Sequence, residues 1–425
     1  MTERPGRGAR DASPAAAPVP AGSDAAPGRW RALAWLALAT LLSMSTWFSG
    51  TAVVRQLRPE WHLSAGAAAW LTIAVQLGFV AGALCAAVTN LLDVFPARRV
   101  FLVASLAAAA VNAGFAGARG PGPGIALRFA TGFFLAGVYP TSLKVMATWF
   151  RGGRGRALGI MVGSLTAGSA APHLVNAFGG LDWRAVVLST SLLTALGGLL
   201  AVSAVADGPF PFPRARFDPR QAGRVLQDRG VRLACLGYFG HMWELYAMWT
   251  WFLLFFSDSL ERRGLSDPRA LASLGTFAVI GAGFAGSWIA GILSDRWGRT
   301  RSSALALAIS GLCSAGIGVA FGGPPLLVLA IGLVWGASVV ADSAQFSTMV
   351  TELADPAYVG TALTLQLGIG FTLTVLTIWL IPLAREAWTW RWAFALLVPG
   401  PLIGIAAMLR LLSLPEARKL AGGRG

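Results

Sequence analysis

Six ionisable side chains stand inside long apolar runs of this sequence: Arg128, Lys144, His173, His241, Glu244 and Asp342. A charge at the centre of a bilayer costs roughly 2.5–3.5 kcal/mol on insertion scales, so a group kept there is a candidate for binding an ion, a proton or a substrate. The densest cluster runs from Gly237 to Trp251. Its members Gly237, His241, Glu244, Met248 and Trp251 follow i, i+4, i+7, i+11, i+14 and form one helical stripe. His241 is about ten residues into its run, roughly 15 Å deep. An imidazole and a carboxyl one turn apart can share a proton, and the neighbouring rings suit a substrate cavity. A mutually satisfied packing pair is the alternative.

Asp342 lies on the stripe Ser338, Asp342, Gln345, Met349 and is the second carboxylate committed to the interior. It is suited to a cation, a proton or an ion pair with an interior base. Arg128 shares a helical face with Gly132, Leu135 and Tyr139, so it either looks into a cleft with Tyr139 deeper along it or snorkels to the nearer surface. Lys144, near the other end of that run and on another face, is explained as well by snorkelling. Gln76, Gln366 and Thr364 are uncharged candidates, and bonding across helices accounts for them too.

The elements that position these residues are read from composition. Hydrophobic residues make up 55% of the 425 and charged residues 12%, about half the charge of a soluble chain. Twelve runs are long enough to cross a bilayer: 32–54, 67–89, 100–118, 125–147, 157–179, 184–206, 232–256, 271–293, 302–321, 325–348, 359–384 and 390–413. The expected fold is therefore an all-α integral membrane protein of twelve transmembrane helices.

Residues 1–29, rich in Ala, Pro and Gly, read as a disordered tail without a signal-peptide cleavage site. Residues 30–206 and 231–414 are the two membrane halves, 207–230 the linker and 415–425 a second tail. Asp218 as N-cap and Pro219 at the first helical position predict a short linker helix whose Arg220, Arg224 and Arg229 suit a membrane surface. The net charge of +15 comes from arginines spread between apolar runs, which argues for membrane orientation and against nucleic acid. Their bias to one side predicts both termini in the cytoplasm and an inner (plasma) membrane location.

Between the eighth and ninth runs stands Gly291-Ile-Leu-Ser-Asp295-Arg296-Trp-Gly298-Arg299-Thr-Arg301, a charged turn that cannot lie in hydrocarbon. It is echoed 202 residues earlier by Asn90-Leu-Leu-Asp93-Val-Phe-Pro-Ala-Arg98-Arg99, where Pro96 replaces the glycine. Ala157-Leu158 and Ala362-Leu363 are 205 apart, and Trp183-Arg184 and Trp390-Arg391 are 207 apart. These offsets argue for a duplicated unit of about two hundred residues, the size of a six-helix half.

The Gly-x-Leu-Ser-Asp-Arg-x-Gly-Arg-x-Arg pattern resembles the loop signature of the major facilitator superfamily. That resemblance implies two six-helix bundles and alternating access to a central site. It also implies a gating role for Asp295, Arg296, Gly298, Arg299 and Arg301, and for Asp93, Arg98 and Arg99 in the weaker copy. Arg128-Phe-Ala-Thr-Gly132 resembles the family's fourth-helix Arg-x-x-x-Gly signature, which implies substrate binding or proton coupling. The stretch from Met146 to Gly159 is similar to the fourth-to-fifth connection in carriers of nitrate, cyanate and small organic anions. Gly159, Gly163, Gly168 and Pro172 faintly resemble the antiporter motif, but Ala171 stands where a glycine is expected, and close helix approach suffices to explain them.

Gly281-Ala-Gly283-Phe-Ala-Gly286 fits a dinucleotide fingerprint, but no strand precedes it, so it is rejected. No phosphate-binding Walker loop is present, and Cys85, Cys235 and Cys313 read as packing residues. No cofactor or metal is expected. The reading is a secondary active transporter, not an enzyme, working as a monomer on a small solute. A small organic anion coupled to protons, binding at Arg128, Tyr139, His241, Glu244, Trp251, Asp342 and Gln345, is the favoured cargo. A proton-coupled drug or metabolite exporter centred on Glu244 and Asp342 is the rival, and a membrane-embedded enzyme or sensor is the remaining class.

Overall fold

In a bilayer every backbone N–H and C=O needs an internal partner, and a chain of twenty-residue apolar runs meets that need by coiling each into a helix. The computed structural model describes residues 26–151, 154–178, 182–210, 219–355 and 358–425, and these are helical nearly throughout. Eight runs among them are by themselves long and apolar enough to cross a membrane. The last, Val359–Leu412, is 54 residues long and turns at Thr389 (φ 61°), so it carries both the eleventh and twelfth spans. The first, fourth and seventh spans complete the twelve of the expected fold. The first two are broken, and the seventh, Arg229–Arg262, carries the polar stripe.

The breaks have local causes. The expected single helix over 125–147 is two, Pro121–Leu135 and Tyr139–Ala147, because Pro140 lacks an N–H and its ring crowds the carbonyl four residues back. The run 32–54 divides into Arg29–Ser43, Met44–Thr46, Ser49–Ala52 and Val54–Glu60. There the hydroxyls of Ser45 and Ser49 bond Leu42 O (2.8 Å) and Thr46 O (3.1 Å) and compete with the helix ladder. The tenth span breaks at Asp342, between Pro325–Ala341 and Ser343–Leu353. The linker forms Pro219–Gln221 and Ala222–Gln227, as its proline signal predicts; its Asp218 cap, and the tail up to residue 25, lie outside the described residues.

The duplication is visible in the packing. In the first half a Cβ on Gly132 would sit 2.1 Å from Val75 O, and one on Gly78 2.0 Å from Phe129 O, so the second and fourth spans touch backbone to backbone. In the second half Gly336 and Gly286 stand likewise, 1.8 Å from Val279 O and 1.9 Å from Ala337 O, where the eighth and tenth spans cross. Trp183 Nε1 donates to Glu60 (2.6 Å), and its repeat mate Trp390 donates to Asp258 (2.8 Å). The halves meet along a seam where the fifth span (Arg154–Ala177) packs on the eighth (Arg269–Trp297) and the second (Ala65–Val88) on the eleventh. Gly159 and Gly163 face Ser287 and Phe284 there, while Gly168 faces Leu41 in the first span.

Candidate functional site

The seventh-span stripe is buried in the second half. His241 Nδ1 lies 2.8 Å from Oδ1 of Asp342, the residue at which the tenth span breaks, and both side chains are under 3% exposed. The contact is at ion-pair distance, and among the described residues neither Asp342 Oδ1 nor His241 Nε2 has a hydrogen-bond partner. Glu244 is fully buried and accepts from Ser310 Oγ (2.8 Å) on the ninth span and Trp335 Nε1 (2.7 Å) on the tenth. The expectation that His241 and Glu244 share a proton is thus corrected. Each is instead taken up by partners on neighbouring spans, His241 by Asp342 and Glu244 by Ser310 and Trp335. Trp251, lower on the stripe, donates to Ile378 O (2.9 Å) in the eleventh span.

Arg128 occupies the interior of the first half and is fully buried. Its Nη1 donates to Thr46 O (3.0 Å), Ser49 Oγ (2.9 Å) and Asn112 Oδ1 (2.9 Å), its Nη2 to Trp47 O, and its Nε to Leu71 O (3.4 Å). Thr46 and Trp47 stand where the first span is broken, so the guanidinium fills carbonyls the helix has released. Every one of these acceptors is neutral. Asn112 extends the network to Val187 O (3.2 Å) and Ser191 (2.9 Å). Neither sequence reading of Arg128, cleft or snorkel, describes this arrangement. Tyr139 is half-buried at the start of the helix after the break, and Lys144 donates to Leu92 O.

Between the halves stands a wall of rings. Trp47 packs on Phe79 (5.0 Å between centroids), Tyr246 (5.9 Å) and Phe371 (6.0 Å), and Phe48 on Tyr246 and Trp249. Set among these rings are buried polar atoms without partners among the described residues: Trp47 Nε1, Trp249 Nε1 and both amide atoms of Gln76, which lies one turn from Phe79. His173 and Ser169 are likewise unpartnered, on the fifth-span face whose Thr166 touches Gly283 of the eighth. Buried polar groups ordinarily find partners, so orphans gathered along one seam make it the candidate site between the halves.

The charged loops divide between the two ends. At the end bearing Asp295, here the signature end, Arg299 holds Glu352 with two bonds (2.8 and 2.7 Å) and donates to Gln345 Oε1 (3.1 Å). This corrects the grouping of Gln345 with the substrate stripe: one turn beyond Asp342, it faces the loop. Asp295 lies 3.8 Å from Arg299 and against Gly155 of the fifth span, and Gly298 takes the left-handed φ of 98° that its turn requires. Arg296 and Arg301 are exposed. Arg98 bonds Val205 O (2.8 Å) and Asp207 (3.5 Å), Arg99 is exposed, and the Asp93 side chain lies outside the described set. At the far end, Arg55 of the first half reaches Ser257, Glu261 and Asp258 (3.6 Å), and Asp258 also accepts from Arg385 (2.7 Å). Sequence reasoning missed Asn112, Ser310, Trp335 and this far-end cluster. Opposite charges at the ends of the first and seventh runs were the available signal for the last.

The sequence matches the model of the Major Facilitator Superfamily over residues 35–374. No curated protein matches it significantly. Among solved structures, a D-xylose–proton symporter superposes with a TM-score of 0.70 at 15% identity, covering 91% of this chain and 98% of that one. A proton:xylose symporter bound to 6-bromo-6-deoxy-D-glucose gives 0.68 at 14% identity, covering 90% and 94%. At such identity the likeness is one of fold. With most of its length matched by the family model, and duplicated bundles meeting at a polar-studded seam, this multi-pass membrane protein belongs to the major facilitator superfamily and is a secondary active transporter, not an enzyme.

Proposed function

We propose that this transporter moves a small uncharged polar solute with a flat apolar face, coupled to protons held by His241, Asp342 and Glu244. One observation carries the cargo reading: neutral, unpartnered donors and acceptors on Trp47, Gln76 and Trp249 lie within a wall of rings contributed by both halves. Rings stack on a flat apolar face while fixed polar groups orient it. The solved neighbours are symporters of xylose, a solute of that kind, which supports the reading. The proton reading rests on a buried imidazole–carboxylate contact beside a second buried carboxyl, groups that gain or lose a proton without leaving the span.

The anion expectation survives as a second reading, because the charge of Arg128 meets only neutral acceptors. In this conformation, however, its guanidinium is turned into the first half and its donors are engaged. For alternating access the two ends offer candidate gates: the Arg55 cluster links the halves at one, and Asp295 lies against Gly155 at the other. On the arginine bias we assign the signature end and both termini to the cytoplasm of an inner-membrane carrier; the halves at 30–206 and 231–414 rest on the internal duplication, and a monomer is the proposed unit.

Thermal stabilisation of the purified chain across a panel of neutral polyols, aromatic cations and small anions tests the cargo, since a bound ligand raises stability by mass action. Neutral ligands should act on wild type and lose their effect in Gln76→Ala. A response confined to anions, and lost in Arg128→Lys, would replace this reading with the second.

A further inference from the structure

At the signature end a cavity of about 570 Å³ is lined by Arg296, Trp297, Arg301, Gly423 and Arg424. Of its guanidinium groups, Arg424 stands beside Asp295, and Arg296 and Arg301 are poorly balanced by acid. Glu352 is taken up by Arg299, and Asp295 lies toward Arg299 and Gly155. Arg424 donates to the backbone oxygen of Asp295, and among the described residues neither Arg296 nor Arg301 pairs with a carboxylate. The chain beside the cavity is seated, because Arg299 N–H donates to Gly425 O (2.5 Å). The site is therefore an open, positively charged recess beside a seated chain.

Its position says what would fill it. Arg301 heads the helical stripe Arg301, Leu305, Leu312, whose leucines are 43% and 75% exposed, and Arg296 stands two turns from Ile289, 57% exposed. On membrane helices such apolar exposure is the lipid-facing surface. Trp297, 55% exposed at the helix end, stands where an indole marks the boundary between acyl chains and headgroups. A free anion would need only the arginines; the leucine and isoleucine stripes descending from them add a place for acyl chains.

We propose that this recess binds the phosphate headgroup of an anionic phospholipid, with its acyl chains lying along Ile289 and the Leu305–Leu312 stripe. Arg296 and Arg301 hold the phosphate from the two helices flanking the signature turn, and Arg424 completes the ring of charge. Bound lipid would brace the Asp295–Arg301 turn against the chain from Gly423 to Gly425.

The test is the melting temperature of the full chain in detergent, titrated with phosphatidylglycerol, phosphatidylcholine or glycerol 3-phosphate. The expected result is saturable stabilisation by phosphatidylglycerol alone, with apparent affinity about thirtyfold weaker in the double variant Arg296→Gln/Arg301→Gln. Equal stabilisation by both lipids, or an unchanged response in the double variant, would overturn the proposal. Stabilisation by glycerol 3-phosphate at matching concentrations would overturn its lipid source. If the double variant does not fold, native mass spectrometry of wild type decides: preferential retention of phosphatidylglycerol supports the site, and indiscriminate retention refutes it.

Discussion

The two halves are built alike and use their interiors differently. In each, a donor on the fourth span of the half reaches into the first: Arg128 to the carbonyls of Thr46 and Trp47, and Trp335, 207 residues later, to Glu244. In the first half the donor is charged and its acceptors are neutral. In the second the donor is neutral and the acceptor is ionisable. A guanidinium keeps its proton, so the first half presents a fixed cation that holds a broken helix together. In the second half, Glu244 and the His241–Asp342 contact are the groups to which the proposed function gives the coupling proton.

The largest expected effect breaks this contrast on the side of the carboxyl. Glu244→Gln keeps the shape, with the amide oxygen accepting from Trp335 and the amide NH2 donating to the Ser310 hydroxyl, but cannot cycle a proton; proton-driven accumulation in liposomes should fall about a hundredfold, within the range general acid–base groups contribute, while the protein still folds. Next is Arg128→Ala, which removes the charged donor shared by Thr46 O, Trp47 O, Ser49 and Asn112 Oδ1 and empties a fully buried site. It should cost about 3 kcal/mol or more of stability, read as lost folded yield and a lower melting temperature. Trp335→Phe sharpens the contrast by removing one donor to Glu244; it should cost about 1 kcal/mol and move the pH dependence of transport while leaving cargo affinity unchanged. The smallest pair compares repeat mates. Glu60→Gln touches contacts within the first half and should change stability by under about 1 kcal/mol, whereas Asp258→Asn loosens the tie to Arg55 and should raise cysteine labelling at the far end of the seam.

The spans and their duplication were legible because long apolar runs and paired tryptophans announce themselves in one dimension. The breaks were partly so: Pro140 forecasts one, but the Ser45–Ser49 segment has the hydroxyl content of many intact membrane helices. Burial of His241, Glu244 and Asp342 followed from depth alone. Their partners did not, because Ser310 and Trp335 are ordinary residues on distant spans until packing brings them to Glu244. Arg128 was found as a charge and misplaced as a group, since its surroundings are backbone carbonyls, which every residue carries. Gln345 shared a stripe with Asp342 and parted from it at the helix break, which periodicity cannot see.

The most direct test of the central claim needs no cargo. Spin labels at the far ends of the first and seventh spans, read by double electron–electron resonance across a pH series, report how protonation shifts the two access states. Wild type should show a pH-dependent change in distance distribution, retained in Arg128→Lys and abolished in Glu244→Gln combined with Asp342→Asn. A wild-type response in that double variant, together with its loss in Arg128→Lys, would place the proton in the first half and contradict the account.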